Sequence, residues 1–432
     1  MWRMRNTFFG LLCISLFSFG ACSKSGSMNS VSGPPTISVI SISSGVVGDS
    51  VTITGTNFST IPTDNIVQFA GVTATVVSST STTLVVVVPP GTTSGNVTVE
   101  VNGMPGGNPQ PFTVLSANVY SFGDANNGQI GAYFRNGTIA GLISNPGGSV
   151  SLSGIYVVGT DVYVSGVFYS NQGIGIPAYW KNGQVVFLPY GAISSEALGI
   201  WVSGNDVYAA GGDGTGIQYW KNRNPVSLPV TDSFSSGNTS AITVSGSDVY
   251  VAATYFTIAN LNSQVSAYWK NGVQVNLPGP SSYANSIYVS GNDVYVTGYT
   301  YSAGNRTGVY WKNGVIVNLS NGTTDVVATG IYILGTDIYV AGYESGGSNA
   351  PPFYWKNGNK IVLSTPSQGA GASQGISGTG NDIYIGCEGY SIGLPTGGLG
   401  FGFWYNGTFE KITVPGGIVM NEIGGIFVEP VP

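Results

Sequence analysis

From Pro35 onward the chain alternates apolar and polar residues in short runs, such as Val51-Thr52-Ile53-Thr54 and Val97-Thr98-Val99-Glu100-Val101, and the runs are broken by Gly, Pro or Asn. Successive side chains of a strand point to opposite faces, so a period of two is the signature of half-buried β-strands. The breaks recur at the spacing of turns in a sandwich or barrel. The predicted class is all-β.

Beyond Leu115 the alternation itself repeats. Asn118, Asp161, Asp206, Asp248, Asp293, Asp337 and Asp382 each open an Asp-Val/Ile-Tyr triplet or, at Asn118, its near copy, at steps of 43, 45, 42, 45, 44 and 45 residues. A second marker runs in phase: Tyr179-Trp180-Lys181-Asn182-Gly183 recurs, with small changes, around Phe134, Trp220, Trp269, Trp311, Trp355 and Trp404. Seven units of this length with about four short strands each predict the blades of a β-propeller.

In each unit, strands a and b flank a turn such as Ser290-Gly291-Asn292, and strands c and d flank Lys312-Asn313-Gly314. Asn-Gly marks a hairpin because both residues accept positive φ. The first unit begins at strand b, whereas Gly425-Ile426-Phe427-Val428 near the C-terminus has the wording of strand a. The C-terminal segment is therefore expected to complete the first blade and remove its open edge. The wording Gly-Ile-Tyr-Val-x-Gly-x-Asp-Val-Tyr-Val resembles the first two strands of NHL-type bacterial propellers, which implies that strand a is innermost.

Residues 34–115 read as a separate small sandwich. The order Gly45, Gly48, then Val51-Thr52-Ile53-Thr54-Gly55-Thr56-Asn57-Phe58 resembles the IPT/TIG family, an immunoglobulin-like fold, although the family's usual Pro before the first glycine is Ile42-Ser43 here. The resemblance implies a spacer. The expected whole is an immunoglobulin-like β-sandwich followed by a seven-bladed β-propeller, residues 117–432, closed by the C-terminal strand.

The first 21 residues break the β pattern: Arg3 and Arg5, an apolar run from Phe8 to Phe19, then Gly20-Ala21 before Cys22. This is the layout of a secretory signal, too short to span as a mature helix. Phe19-Gly20-Ala21-Cys22 resembles the lipobox of bacterial lipoproteins, which implies lipidation of Cys22 and a membrane partner reached through that anchor. The start Cys22-Ser23-Lys24-Ser25 looks like exported lipoproteins of the Bacteroidota, so residues 22–33 are read as a tether and the address as the cell envelope, at the outer membrane or cell surface. Once Cys13 and Cys22 are accounted for, Cys387 alone remains and no intrachain disulfide is expected.

Composition narrows the chemistry. Only 7% of the 432 residues are charged and none is His, while 12% are aromatic. A formal charge of −6 with 13 cations leaves no footprint for nucleic acid. Without His the commonest general base and metal ligand are absent, and no metal-binding or cofactor motif appears, so neither is expected. The charges fall on repeat positions: Lys181, Lys221, Lys270, Lys312 and Lys356 end strand c where the Asp residues begin strand b, which predicts cross-strand pairs. The first unit has Asn118 with Arg135, and the last has Asp382 with Tyr405, so these two lack the full pair. The repeated Trp residues are expected in the core.

Both hairpins of a unit lie on one face of the disc, and the variable b/c and d/a loops lie on the other. Binding residues usually sit on variable loops of a rigid scaffold. There the sequence offers Tyr169, Tyr190, Tyr255, Phe256, Tyr283, Tyr301 and Tyr390 as candidate ligand-binding residues. Rigid aromatics among amides suit a glycan or another neutral polymer. The alternative is a scaffold for an envelope protein partner. A glycosidase or lyase is the weakest expectation, because Glu196, Asp213, Asp232, Asp325, Glu344 and Glu388 are scattered one to a loop, and Arg306 is the only arginine there.

Overall fold

The computed structural model describes residues 33–125, 128–144, 147–191, 195–212, 216–231, 234–258, 260–302, 304–345, 351–364, 372–391, 399–412 and 424–430. Cys22 lies outside them.

Thr36–Ile40, Ser50–Thr56, Thr83–Val87 and Thr75–Ser79 form one sheet of the first domain. A second sheet is built around Gln110–Val114, Gly95–Val101 and Asn65–Phe69. The period-two residues close between them: Val51, Ile53, Leu84, Val86, Val97, Val99, Val101, Val67 and Phe69 form one buried cluster. Gly55 of the glycine motif is required by contact, since a Cβ there would stand 2.0 Å from the Thr36 carbonyl oxygen. Asn57, in the left-handed region at φ 59, donates to the Pro34 carbonyl at 3.1 Å.

The remaining described residues fold as seven four-stranded antiparallel sheets. Blade 2 has strands a to d at Gly148–Val158, Asp161–Ser170, Gly175–Lys181 and Gln184–Phe187, and blades 3 to 7 repeat that order. Blade 1 takes Ala117–Ala125, Ile130–Arg135 and Thr138–Ser144 as b, c and d, and its strand a is Ile426–Pro430, paired antiparallel to Ala117–Ala125. Each strand a packs on the next around the ring, and Ile426–Pro430 lies between those of blades 7 and 2. The chain is thus an immunoglobulin-like sandwich followed by a seven-bladed propeller, closed by its C-terminal strand.

Packing holds the blades together. Trp180, Trp220, Trp269, Trp311, Trp355 and Trp404 are all buried. The indole Nε1 of Trp220, Trp269, Trp311 and Trp404 donates to the carbonyl of Pro189, Pro229, Pro278 and Ser364, in the junction that follows strand d of the preceding blade. Removing an aromatic side chain from water covers roughly 150–250 Å². At about 25 cal/mol per Å² that is about 4–6 kcal/mol, well above an exposed ion pair.

The expected charge pairs form, with a diagonal register. Lys181 lies opposite Tyr163, two residues beyond Asp161, and reaches back to that carboxylate at 2.6 Å with its ammonium 5.3 Å from the Tyr163 ring centre. The same triad recurs at Lys221, Lys270, Lys312 and Lys356. The hairpin Asn completes it: Asn313, at φ 51, accepts from Val294 N–H and donates to Asp293, both at 2.8 Å.

The two incomplete repeats lie where the sandwich docks. Arg135 of blade 1 takes its carboxylate from Asp49 of the sandwich at 3.3 Å, and Asn136 donates to the same carboxylate at 3.0 Å. In blade 7, the Ser116 hydroxyl donates to Asp382 and lies 3.0 Å from the Tyr384 hydroxyl. Val46 and Leu115 pack against Val119, Tyr384, Phe403 and Val428 beneath these contacts. The sandwich therefore sits on the hairpin face and leaves the loop face clear.

Candidate functional site

The loop face of blade 5 carries an aromatic ledge set by strand register. Its strands a, b and c are Ser282–Ser290, Asp293–Ser302 and Asn305–Lys312. Tyr299 and Tyr301 are two apart on strand b and share a face of the sheet. The ladder places Tyr283 opposite Tyr299, and Arg306 opposite Tyr301. Tyr283 and Tyr299 stack with ring centres 5.2 Å apart and planes 2° apart, and Tyr301 meets Tyr299 edge-on at 5.5 Å. The Arg306 guanidinium lies 5.6 Å from the Tyr299 ring centre. Asp325, the first residue of strand a in blade 6 (Asp325–Leu334), grips that guanidinium through both oxygens, at 2.8 and 2.6 Å.

This geometry fixes the ledge before any ligand arrives. Arg306 is neutralised by Asp325, so the aromatic faces are offered without a net charge beside them. Burial, then the neighbouring Tyr301 and Tyr283, raise the Tyr299 phenol. Burial, then the Glu196 carboxylate, raise Tyr169 and Tyr283.

The other expected residues divide. Tyr301 and Tyr190 are 40% and 42% exposed. Phe256 is half-buried on blade 4. Tyr255 corrects the sequence reading: it is 0% exposed, its ring lies 6.4 Å from that of Trp269, and Gln274 donates to its hydroxyl at 2.9 Å. A position near the end of strand b was read as loop, but the sheet extends through Thr257 and turns the ring inward. The Tyr390 side chain lies outside the described residues, as do Asp213, Asp232 and the side chain of Glu388. Sequence reasoning passed over Tyr299, whose period-two spacing from Tyr301 was the available signal, and Asp325 as the partner of Arg306.

The IPT/TIG domain family model matches residues 35–114. No curated protein matches the chain. Among solved structures the chain is similar to an auxiliary nutrient binding protein from Bacteroides thetaiotaomicron, at 11% identity over 82% of this chain and 95% of that one, with a TM-score of 0.31. It is also similar to the β-propeller domain of the Trilobed protease from Pyrococcus furiosus, at 9% identity, 88% and 97% coverage and a TM-score of 0.39. A third is the six-bladed fungal lectin of Aleuria aurantia, at 11% identity, 62% and 97% coverage and a TM-score of 0.36.

Proposed function

We propose that this protein is a non-catalytic binding module of the cell envelope, anchored through lipidated Cys22, that captures a glycan or similar neutral polymer on the loop face of its propeller. The observation that carries the reading is the Tyr283-Tyr299-Tyr301 ledge with its Arg306-Asp325 brace. Aromatic faces held by their neighbours meet a ligand with little further loss of rotamer freedom. A Tyr base would need a lowered pKa, whereas the Tyr299 phenol is raised, which argues for binding over proton abstraction. The sandwich serves as a mount on the opposite face.

A glycan array probed with the full chain tests this. Binding to neutral glycans that Tyr301→Ala lowers about tenfold is expected, the cost of losing roughly one aromatic contact. An array with no signal, together with a stable envelope protein partner on co-purification, would replace the reading by a scaffold. Membrane extraction of a Cys22→Ser variant tests the anchor, and an unchanged detergent-phase fraction would remove it.

A further inference from the structure

Between blades 5 and 6, beside the ledge, a cleft of about 460 Å³ opens along the seam. That is within the roughly 300–1,000 Å³ range of small-ligand pockets. Asp325, which grips Arg306 of the ledge, stands between Thr324 and Val326, both on the cleft wall.

The cleft exists because one junction departs from the repeat. In blades 3, 4, 5 and 7 the core indole N–H is capped by a junction carbonyl at 2.6 to 2.9 Å. In blade 6 Trp355 is seated in the same way: a Cβ on Gly342 would meet its Cζ3 at 2.6 Å, as one on Gly211 would meet that of Trp220 at 2.8 Å. Yet Trp355 has no such carbonyl partner among the described residues. The junction residue is Ser320, whose hydroxyl accepts from Gly308 N–H at 3.1 Å. Leu319 before it is only half-buried, whereas Leu188, Leu228, Leu277 and Leu363 are at most 5% exposed. A buried indole with an uncapped N–H carries a donor that a ligand can satisfy.

The groups around it specify the ligand. Glu344 and Lys360 pair at 3.1 Å, and the ammonium sits 3.9 Å from the Phe353 ring centre. One cation and one anion in contact cancel, so the cleft holds no net charge to draw an ion. Each still has hydrogen-bonding capacity beyond the pair. Asn318, Asn321 and Thr324 add amides and a hydroxyl to the wall. Asn321 spends its carbonyl oxygen on Thr323, which leaves the amide NH₂ as a donor.

We infer that this cleft is a second binding subsite, taking one hydroxyl-rich neutral ring, a saccharide unit, through the Trp355 N–H and the Glu344-Lys360 pair. It deepens the ledge reading and rests on it for the ligand class.

The full chain labelled with 5-fluorotryptophan, with Trp355 assigned by Trp355→Phe, is titrated with neutral mono- and disaccharides and, separately, with glycine. The Trp355 resonance is expected to move saturably with at least one saccharide. Lys360→Met and Glu344→Gln should each weaken that titration about tenfold, as expected for one charged partner, while Tyr301→Ala leaves it unchanged. No shift with any saccharide, a shift with glycine alone, or a titration insensitive to Lys360→Met would overturn the cleft. An array signal lost with Tyr301→Ala and kept with Lys360→Met would retain the ledge and dismiss the cleft, so the two readings fail separately.

Discussion

At the scale of the residue, hairpin Asn shows how one side chain can do three things. Asn313 adopts the left-handed conformation, accepts a backbone N–H and donates to Asp293. Asn313→Gly keeps the turn and loses the bonds, a cost of about 1 kcal/mol. Asn313→Ala loses the bonds and adds left-handed strain, together about 2 kcal/mol or more. Urea unfolding of the two variants measures the gap, and equal losses would remove strain from the account. The Asp293 carboxyl is held below the usual carboxylate range first by Lys312 and then by Asn313. Its contribution is present above its unfolded value and is lost as pH falls through the lower folded one. Lys312→Met should therefore raise the Asp293 titration, followed by NMR, more than Asn313→Ala does. The turn was legible because positive φ favours Asn-Gly. The side-chain bonds were not, because they depend on a diagonal between strands that triplet spacing does not specify. Tyr255 failed for a related reason: alternation gives two faces to a strand and does not say which one the next blade covers.

At the scale of the element, ring closure could be read from the chain because strand a has recurring wording and the first unit lacks it. Ile426–Pro430 then supplies five ladder partners to Ala117–Ala125. Truncation after residue 423 should leave that strand with an open edge and abolish soluble folding. An unchanged melting curve would show that the closing strand is dispensable. The docking of the sandwich was not legible: nothing around Asp49 marks it as the missing carboxylate of blade 1, a residue 86 positions from Arg135. What the sequence did carry was the vacancy, since Asn118 and Tyr405 stand where the other repeats have Asp and Lys. Restoring the repeat should therefore harm it. Asn118→Asp sets a second carboxylate beside Asp49, so the variant should melt lower and lose more stability at low salt than at high salt. A rise in melting temperature would mean that Arg135 accommodates both acids.

At the scale of the whole molecule, the two faces of the disc have separate tasks. The hairpin face is uniform and receives the sandwich, and the loop face carries the ledge and the cleft, so the docked sandwich leaves both open. Among the described residues the joint contains one buried acid, Glu410 of blade 7, which lies beside Thr113 and Ser44 of the sandwich. Burial raises its pKa more than the neighbouring Thr113 and Ser44 lower it. The folded state thus retains the Glu410 proton to a higher pH than the unfolded chain does. Its contribution is complete below the unfolded value near 4.5 and is lost as pH rises through the folded one. Near neutral pH the joint bears a desolvated carboxylate that Glu410→Gln would remove while keeping an oxygen for Thr113 and Ser44. The variant should melt above the parent near neutral pH, and the gap should close as pH falls toward the unfolded value. This sign is opposite to that of the exposed Asp-Lys pairs, which weaken in acid, so a gap that stays constant with pH would show that Glu410 does not titrate at the joint.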